Sequence, residues 1–194
     1  MLARALLLTI VALLLGGCGG KNDQVTTATT VTTTTKTPTT TTGPSLAGAS
    51  TEPAVWKSTS TETELLTGVR AAAHAGYDRL VFEFRNGVPG YDVRYVDRPL
   101  RADGSGAPVA VRGGAILRIR MEPALDADLT QASAPRTYTG PTRFEPSTAA
   151  IVEVVRTGGF EAVLTWAAGI DGKRPFTVTR LENPSRIVID VAST

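Results

Sequence analysis

From Leu66 onward, apolar residues recur at every second position in short runs separated by Gly and Pro. In Arg79–Arg85, Leu80, Phe82 and Phe84 share one face, and Val81, Glu83 and Arg85 share the other. Tyr91, Val93 and Tyr95 alternate with Asp92, Arg94 and Val96; Leu117, Ile119 and Met121 stand opposite Arg118 and Arg120. A period of two marks strands with one buried face. The same reading predicts strands over Leu66–His74, Thr148–Arg156, Glu161–Ala167, Phe176–Leu181 and Arg186–Val191, the last with Ile187, Ile189 and Val191 inward. Turns are marked by Asn86-Gly87 with Pro89-Gly90, by Gly158-Gly159 at a strand end, and by Asn183-Pro184. Asp171-Gly172 signals a hairpin into Phe176. Helical spacing is scarce, and a single turn is expected near Ala124–Leu129. Short strands punctuated in this way predict an all-β domain, an antiparallel sandwich or barrel.

A different pattern opens the chain. Met1–Arg4 carries one positive charge, Ala5–Leu15 is an apolar run, and small residues precede Cys18. That is signal-peptide anatomy. At about 1.5 Å per residue the run falls short of the roughly 30 Å hydrocarbon core, so a permanent membrane helix is not expected. Leu15-Gly16-Gly17-Cys18 reads as a bacterial lipobox around the chain's single cysteine. Its thiolate would accept a diacylglycerol, and two or three acyl chains at roughly 0.8 kcal/mol per buried methylene hold a protein durably on a membrane. The alternative is an ordinary secretory signal with a chance cysteine; no second cysteine is present to form a disulfide. The expected location is extracytoplasmic, on the outer face of the cell membrane.

Gly19–Ser60 has few large apolar residues and contains a threonine tract from Thr26 to Thr42. Such a segment cannot offset about 1–2 kcal/mol of backbone entropy per residue and is expected to stay disordered. Thr/Pro-rich composition also suits an O-glycosylated stalk, and a passive linker would have the same reach. The expected organisation is therefore a signal segment over 1–17, lipidated Cys18 with a linker to 60, and one folded domain over 61–194. The charge balance, 20 basic against 18 acidic residues with net +2, excludes a strongly polarised molecule. No basic run with interleaved aromatics occurs, so nucleic acid is not an expected partner.

Two stretches match in pattern. Asp78-Arg79-Leu80-Val81-Phe82-Glu83-Phe84 and Ser185-Arg186-Ile187-Val188-Ile189-Asp190-Val191 both read polar, arginine, apolar, valine, apolar, acid, apolar. Alternating strands match by chance in this way. The structured alternative centres one stretch in each half of a pseudo-symmetric sandwich, with Glu83 and Asp190 opposite the core. The ending Val178–Val191, with its Asn183-Pro184 turn, Arg186 and aspartate-bearing strand, resembles the ending of AMIN-type domains. Gly76–Phe84 resembles their other arginine-led strand, and the whole chain is similar to AMIN-like lipoproteins of high-GC Gram-positive bacteria. The resemblance implies a β-sandwich of two small sheets and a non-catalytic targeting module for cell-wall glycan, peptidoglycan, or an envelope protein. Asp97–Gly114 is longer than a compact module requires, and no amidase or secretin domain follows in the sequence.

Candidate chemistry is sparse. His74 is the only histidine, which excludes a histidine-rich metal site, and no cofactor is expected. A Ser-His-Asp arrangement of His74 with Ser105 has no nucleophile-elbow spacing; Gly104-Ser105-Gly106 reads as a turn. Glycoside hydrolysis would draw two carboxylates from Glu83, Glu122, Asp126, Asp128, Glu145, Glu153 and Asp190, residues that solvated faces also explain. Asp126 and Asp128 lack a calcium loop around them. A binding surface would use Tyr91, Tyr95 and Tyr138 for stacking on sugars and Arg94, Arg118 and Arg120 for peptide-stem carboxylates or anionic polymers. Arg79, Glu83, Arg186 and Asp190 of the matched strands complete the candidates. The same tyrosines would serve as core-edge residues, and Trp166 as core. The expectation is a non-enzymatic envelope protein; the other classes are a carrier or sensor of a small apolar ligand, and a glycosidase.

Overall fold

The computed structural model describes residues 46–194; the signal segment, Cys18 and the threonine tract lie outside the described residues. Among the described residues every regular element is a strand: β1 (Ala54–Trp56), β2 (Glu64–His74), β3 (Tyr77–Arg85), β4 (Gly90–Val96), β5 (Ala115–Glu122), β6 (Ala124–Leu125), β7 (Arg143–Phe144), β8 (Ile151–Phe160), β9 (Val163–Ile170), β10 (Phe176–Glu182) and β11 (Ser185–Ala192). They form a six-stranded sheet in the order β1-β4-β5-β9-β8-β7 and a five-stranded sheet in the order β10-β11-β3-β2-β6. Pairing is antiparallel except between β2 and β6. The expected all-β sandwich is what the chain forms.

The alternation places the core. Leu80, Phe82 and Phe84 of β3 and Ile187, Ile189 and Val191 of β11 meet Val93, Leu117, Ile119, Met121, Leu164 and Trp166 of the other sheet, all buried. Trp166 sits edge-on to Phe82 at 5.8 Å and to Tyr138 at 5.7 Å. The space between the sheets is filled by side chains.

Several expectations are corrected. Ala124–Leu125 is a short strand parallel to Glu64–Leu65, and no helical turn forms there, because the chain bends at Pro123 and passes from β5 of one sheet into that pairing in the other. Gly158-Gly159 lies within β8, where the ladder shifts register between Arg156 and Gly158; the turn falls at Glu161-Ala162, both with positive φ, and the following strand begins at Val163. Left-handed conformation at both central residues matches the right-handed twist of a two-residue hairpin. Asp171-Gly172 does not close a hairpin: β9 and β10 belong to different sheets, so the segment crosses the sandwich. The matched stretches are direct neighbours in one sheet, with Val81 opposite Val188 and Arg79 opposite Asp190, rather than the centres of two halves. Glu83 and Asp190 do lie on the face away from the core. The folded part also takes in residues before 61: Ser50 pairs with Phe176, and β1 pairs with β4.

The long segment 97–114 lies on the outer face of the six-stranded sheet. Leu100, Val109 and Val111 cover Ile116, Val155 and Ala167 and make a second, smaller core. Arg98 holds the segment closed through the carbonyls of Val111 and Gly113, each at 2.7 Å. Buried Glu153 fastens it to β8 and β7, accepting from the Arg112 amide at 2.8 Å and from Arg143 at 2.5 Å. Gly169 makes the seat possible, because a Cβ there would run into the Arg112 carbonyl.

Candidate binding site

The residues singled out from sequence fall in three places. Arg79, Glu83, Arg186 and Asp190 share the outer face of the five-stranded sheet, centred on the buried pair Val81 and Val188. Arg79 binds Asp190 in a two-pronged ion pair, Nε–Oδ1 2.7 Å and Nη2–Oδ2 2.8 Å, and Arg70 binds Glu83 at 2.9 Å. The Asp190 contact raises the Arg79 pKa further. Three of these four side chains are thus spent on neighbours; among the described residues Arg186 reaches only the Pro184 carbonyl, at 3.2 Å.

Tyr95 and Tyr138 are not free for stacking. The Tyr95 ring packs edge-on to Phe176 at 5.8 Å, and its hydroxyl donates to the Arg174 carbonyl and accepts from the Arg174 amide. Tyr138 is buried, with its hydroxyl on the Pro141 carbonyl at 2.8 Å. Burial pushes both phenols up. Tyr91 is half-buried beside Trp56, 6.2 Å between ring centres, and Arg180 lies 3.8 Å over the Trp56 ring.

The six-stranded sheet brings the other three candidates together. Arg94 of β4 lies directly opposite Arg118 of β5, and Asp92 lies opposite Arg120, all on the outer face. Like charges directly opposite each other on adjacent strands repel. Asp92 is the counter-charge between them: it takes Arg94 in two contacts, at 2.5 and 2.7 Å, and stands 4.0 Å from Arg118. Arg120 turns to Glu122 at 2.5 Å. The Asp92 contact raises the Arg94 pKa. Three guanidiniums therefore face two carboxylates on one open patch. A groove of about 400 Å³ lies at one end, lined by Lys57, Gly90, Tyr91, Asp92, Arg120 and Glu122 among others. The 97–114 segment stands at the other end.

A family model for the AMIN-like domain matches residues 64–193, from the start of β2 to past β11. The chain belongs to the AMIN-like family. An AMIN-like domain implies an envelope-associated, extracytoplasmic protein. The match leaves out β1, which nonetheless completes one edge of the AMIN-like sandwich and carries Trp56 to the groove. Neither a curated protein nor a solved structure matches the chain.

Sequence reasoning missed Glu64, Asp92 and Lys57. Glu64 is 2% exposed with Oε2 unpartnered among the described residues, and burial pushes its carboxyl up, against opposing contacts from Ser60 and the Gly87 amide. Nothing in its alternation distinguishes it from a strand-end acid at the surface. Asp92 and Lys57 matter only through the β1-β4-β5 pairing, which the eighteen-residue segment 97–114 separates in sequence.

Proposed function

We propose that this AMIN-like protein is a lipid-anchored, non-catalytic binder of an anionic cell-wall polymer of the peptidoglycan type. Acylated Cys18 would provide the anchor, and the outer face of the six-stranded sheet would provide the grip. The observation that carries this reading is the Arg94–Arg118 pair facing each other with one shared carboxylate, beside Arg120. Repulsion within that pair falls when a stem-peptide carboxylate or another anion docks between the guanidiniums, which present two-pronged donors suited to it. A non-catalytic role is supported by the carboxylates themselves. Glu83, Glu122, Asp126, Glu145, Glu153 and Asp190 are each engaged in an ion pair with at least one arginine, whereas glycoside hydrolysis needs two carboxyl groups free to flank one glycosidic bond. The filled interior supports surface binding over a carrier role.

Co-sedimentation with insoluble cell wall tests the proposal. The wild-type chain is expected in the pellet, with retention lost in Arg94→Ala/Arg120→Ala and kept in Arg186→Ala. Retention equal to that of an unrelated sandwich protein overturns it.

A further inference from the structure

Beneath the tip of the 97–114 segment, the outer face of the six-stranded sheet forms a pocket of about 260 Å³. Its base is polar and unsatisfied. Thr157 and Thr165 are 6% and 2% exposed, and neither hydroxyl has a hydrogen-bond partner among the described residues. The Nε of Arg118, which lines the same pocket, has none either. Buried polar atoms in folded proteins are overwhelmingly paired, so three orphans around one hollow point to a missing partner. Asp97, Arg101 and Asp103 complete the polar lining, and neither aspartate makes an ion pair among the described residues.

The geometry points to a site for one neutral sugar residue, held by Thr157, Thr165 and Arg118 at the base and by Asp97 and Asp103 at the rim. Two carboxylates balance two guanidiniums, so an anion would meet the acids and a cation the arginines. A sugar hydroxyl both donates and accepts, which suits a donor-only Nε, acceptor-only carboxylates and two-way threonine hydroxyls together. The volume lies below the roughly 300–1,000 Å³ of pockets for drug-sized ligands, which fits a single ring. Because the threonine hydroxyls are covered, binding lifts the tip. That tip is held to the sheet by the Asp103 amide on the Thr157 carbonyl at 3.2 Å, and Gly104 and Gly106, both at positive φ, have no close neighbours. Only the origin of the sugar rests on the wall-polymer reading; the site itself stands without it.

Titration of the full chain with N-acetylglucosamine, followed by backbone amide NMR shifts, tests this. Saturable shifts are expected at residues 103–106 and around Thr157 and Thr165. Thr165→Val and Thr157→Val keep the side-chain shape and are each expected to weaken binding about tenfold, the scale of one lost hydrogen bond. Asp103→Asn replaces either variant whose spectrum changes throughout. Sugar binding is expected to persist in Arg94→Ala/Arg120→Ala, so the pocket and the polymer face fail separately. Inorganic phosphate or glycine saturating these amides in place of the sugar overturns the inference. So does the absence of saturable shifts, or binding indifferent to both threonine variants.

Discussion

Arg79 and Asp190 illustrate how a candidate binding residue becomes a structural one. Their side chains are opposite each other on β3 and β11, 37% and 12% exposed, and close a two-pronged contact over the Val81–Val188 pair. Arg79→Ala leaves a mostly covered carboxylate unpaired and is expected to lower unfolding free energy by about 1–3 kcal/mol in denaturant titration, with wall retention unchanged. Glu64 carries the opposite sign. Its folded pKa is raised because burial penalises the anion, so the protein is most stable with Glu64 protonated. That stability is full below the ordinary carboxylate range and is lost as pH rises through the raised folded value. Glu64→Gln is therefore expected to raise the thermal midpoint at neutral pH, the gain shrinking toward zero on acidification; an equal gain at all pH values would contradict it.

Among the elements, the 97–114 segment has the most to say. Its length in the sequence suggests an insertion; its residues show a cover with its own apolar seam, fastened by Arg98 and Glu153. The seat depends on two side-chain-free positions in the strands below, Gly169 under the Arg112 carbonyl and Gly158 under the Asp103 side chain. Gly169→Val is expected to lift the segment. Amide exchange over 98–113 should speed up markedly while β3 and β11 stay protected, and stability should fall by about 1–3 kcal/mol through overpacking. Uniform acceleration across both sheets would show that the cover and the sandwich open as one unit. At this scale alternation worked well, since all eight strands read from it exist. It failed at their ends, where Glu161-Ala162 turns without glycine and Gly158-Gly159 stays in the ladder.

Across the whole molecule the two sheets present unlike outer faces. The five-stranded sheet ties Arg70 and Arg79 to Glu83 and Asp190, leaving Arg186 with a backbone carbonyl alone among the described residues, and the six-stranded sheet gathers three arginines around two carboxylates beside a groove and a capped pocket. Wall binding through the second face is expected to weaken steeply between low and physiological salt, as the Debye length shrinks to about 8 Å, and to depend on Arg94 and Arg120. Retention insensitive to salt would argue for an apolar contact instead. The interior that carries both faces centres on Trp166, fully buried against Phe82 and Tyr138. Trp166→Ala is expected to cost about 3–5 kcal/mol, read as a shifted denaturant midpoint.

By itself the sequence determined the class of fold, the inward residues of most strands and the family, because a period of two and a short turn motif are local properties of the chain. Which sheet each strand joined was decided only by the folded molecule. Neither β9 and β10 nor the Arg94–Arg118 encounter can be read from spacing, since partners in a sheet are chosen by packing across the core and by where long segments lie down. The pocket beneath residues 97–114 belongs wholly to that second kind, made of strands and a cover that meet only in three dimensions.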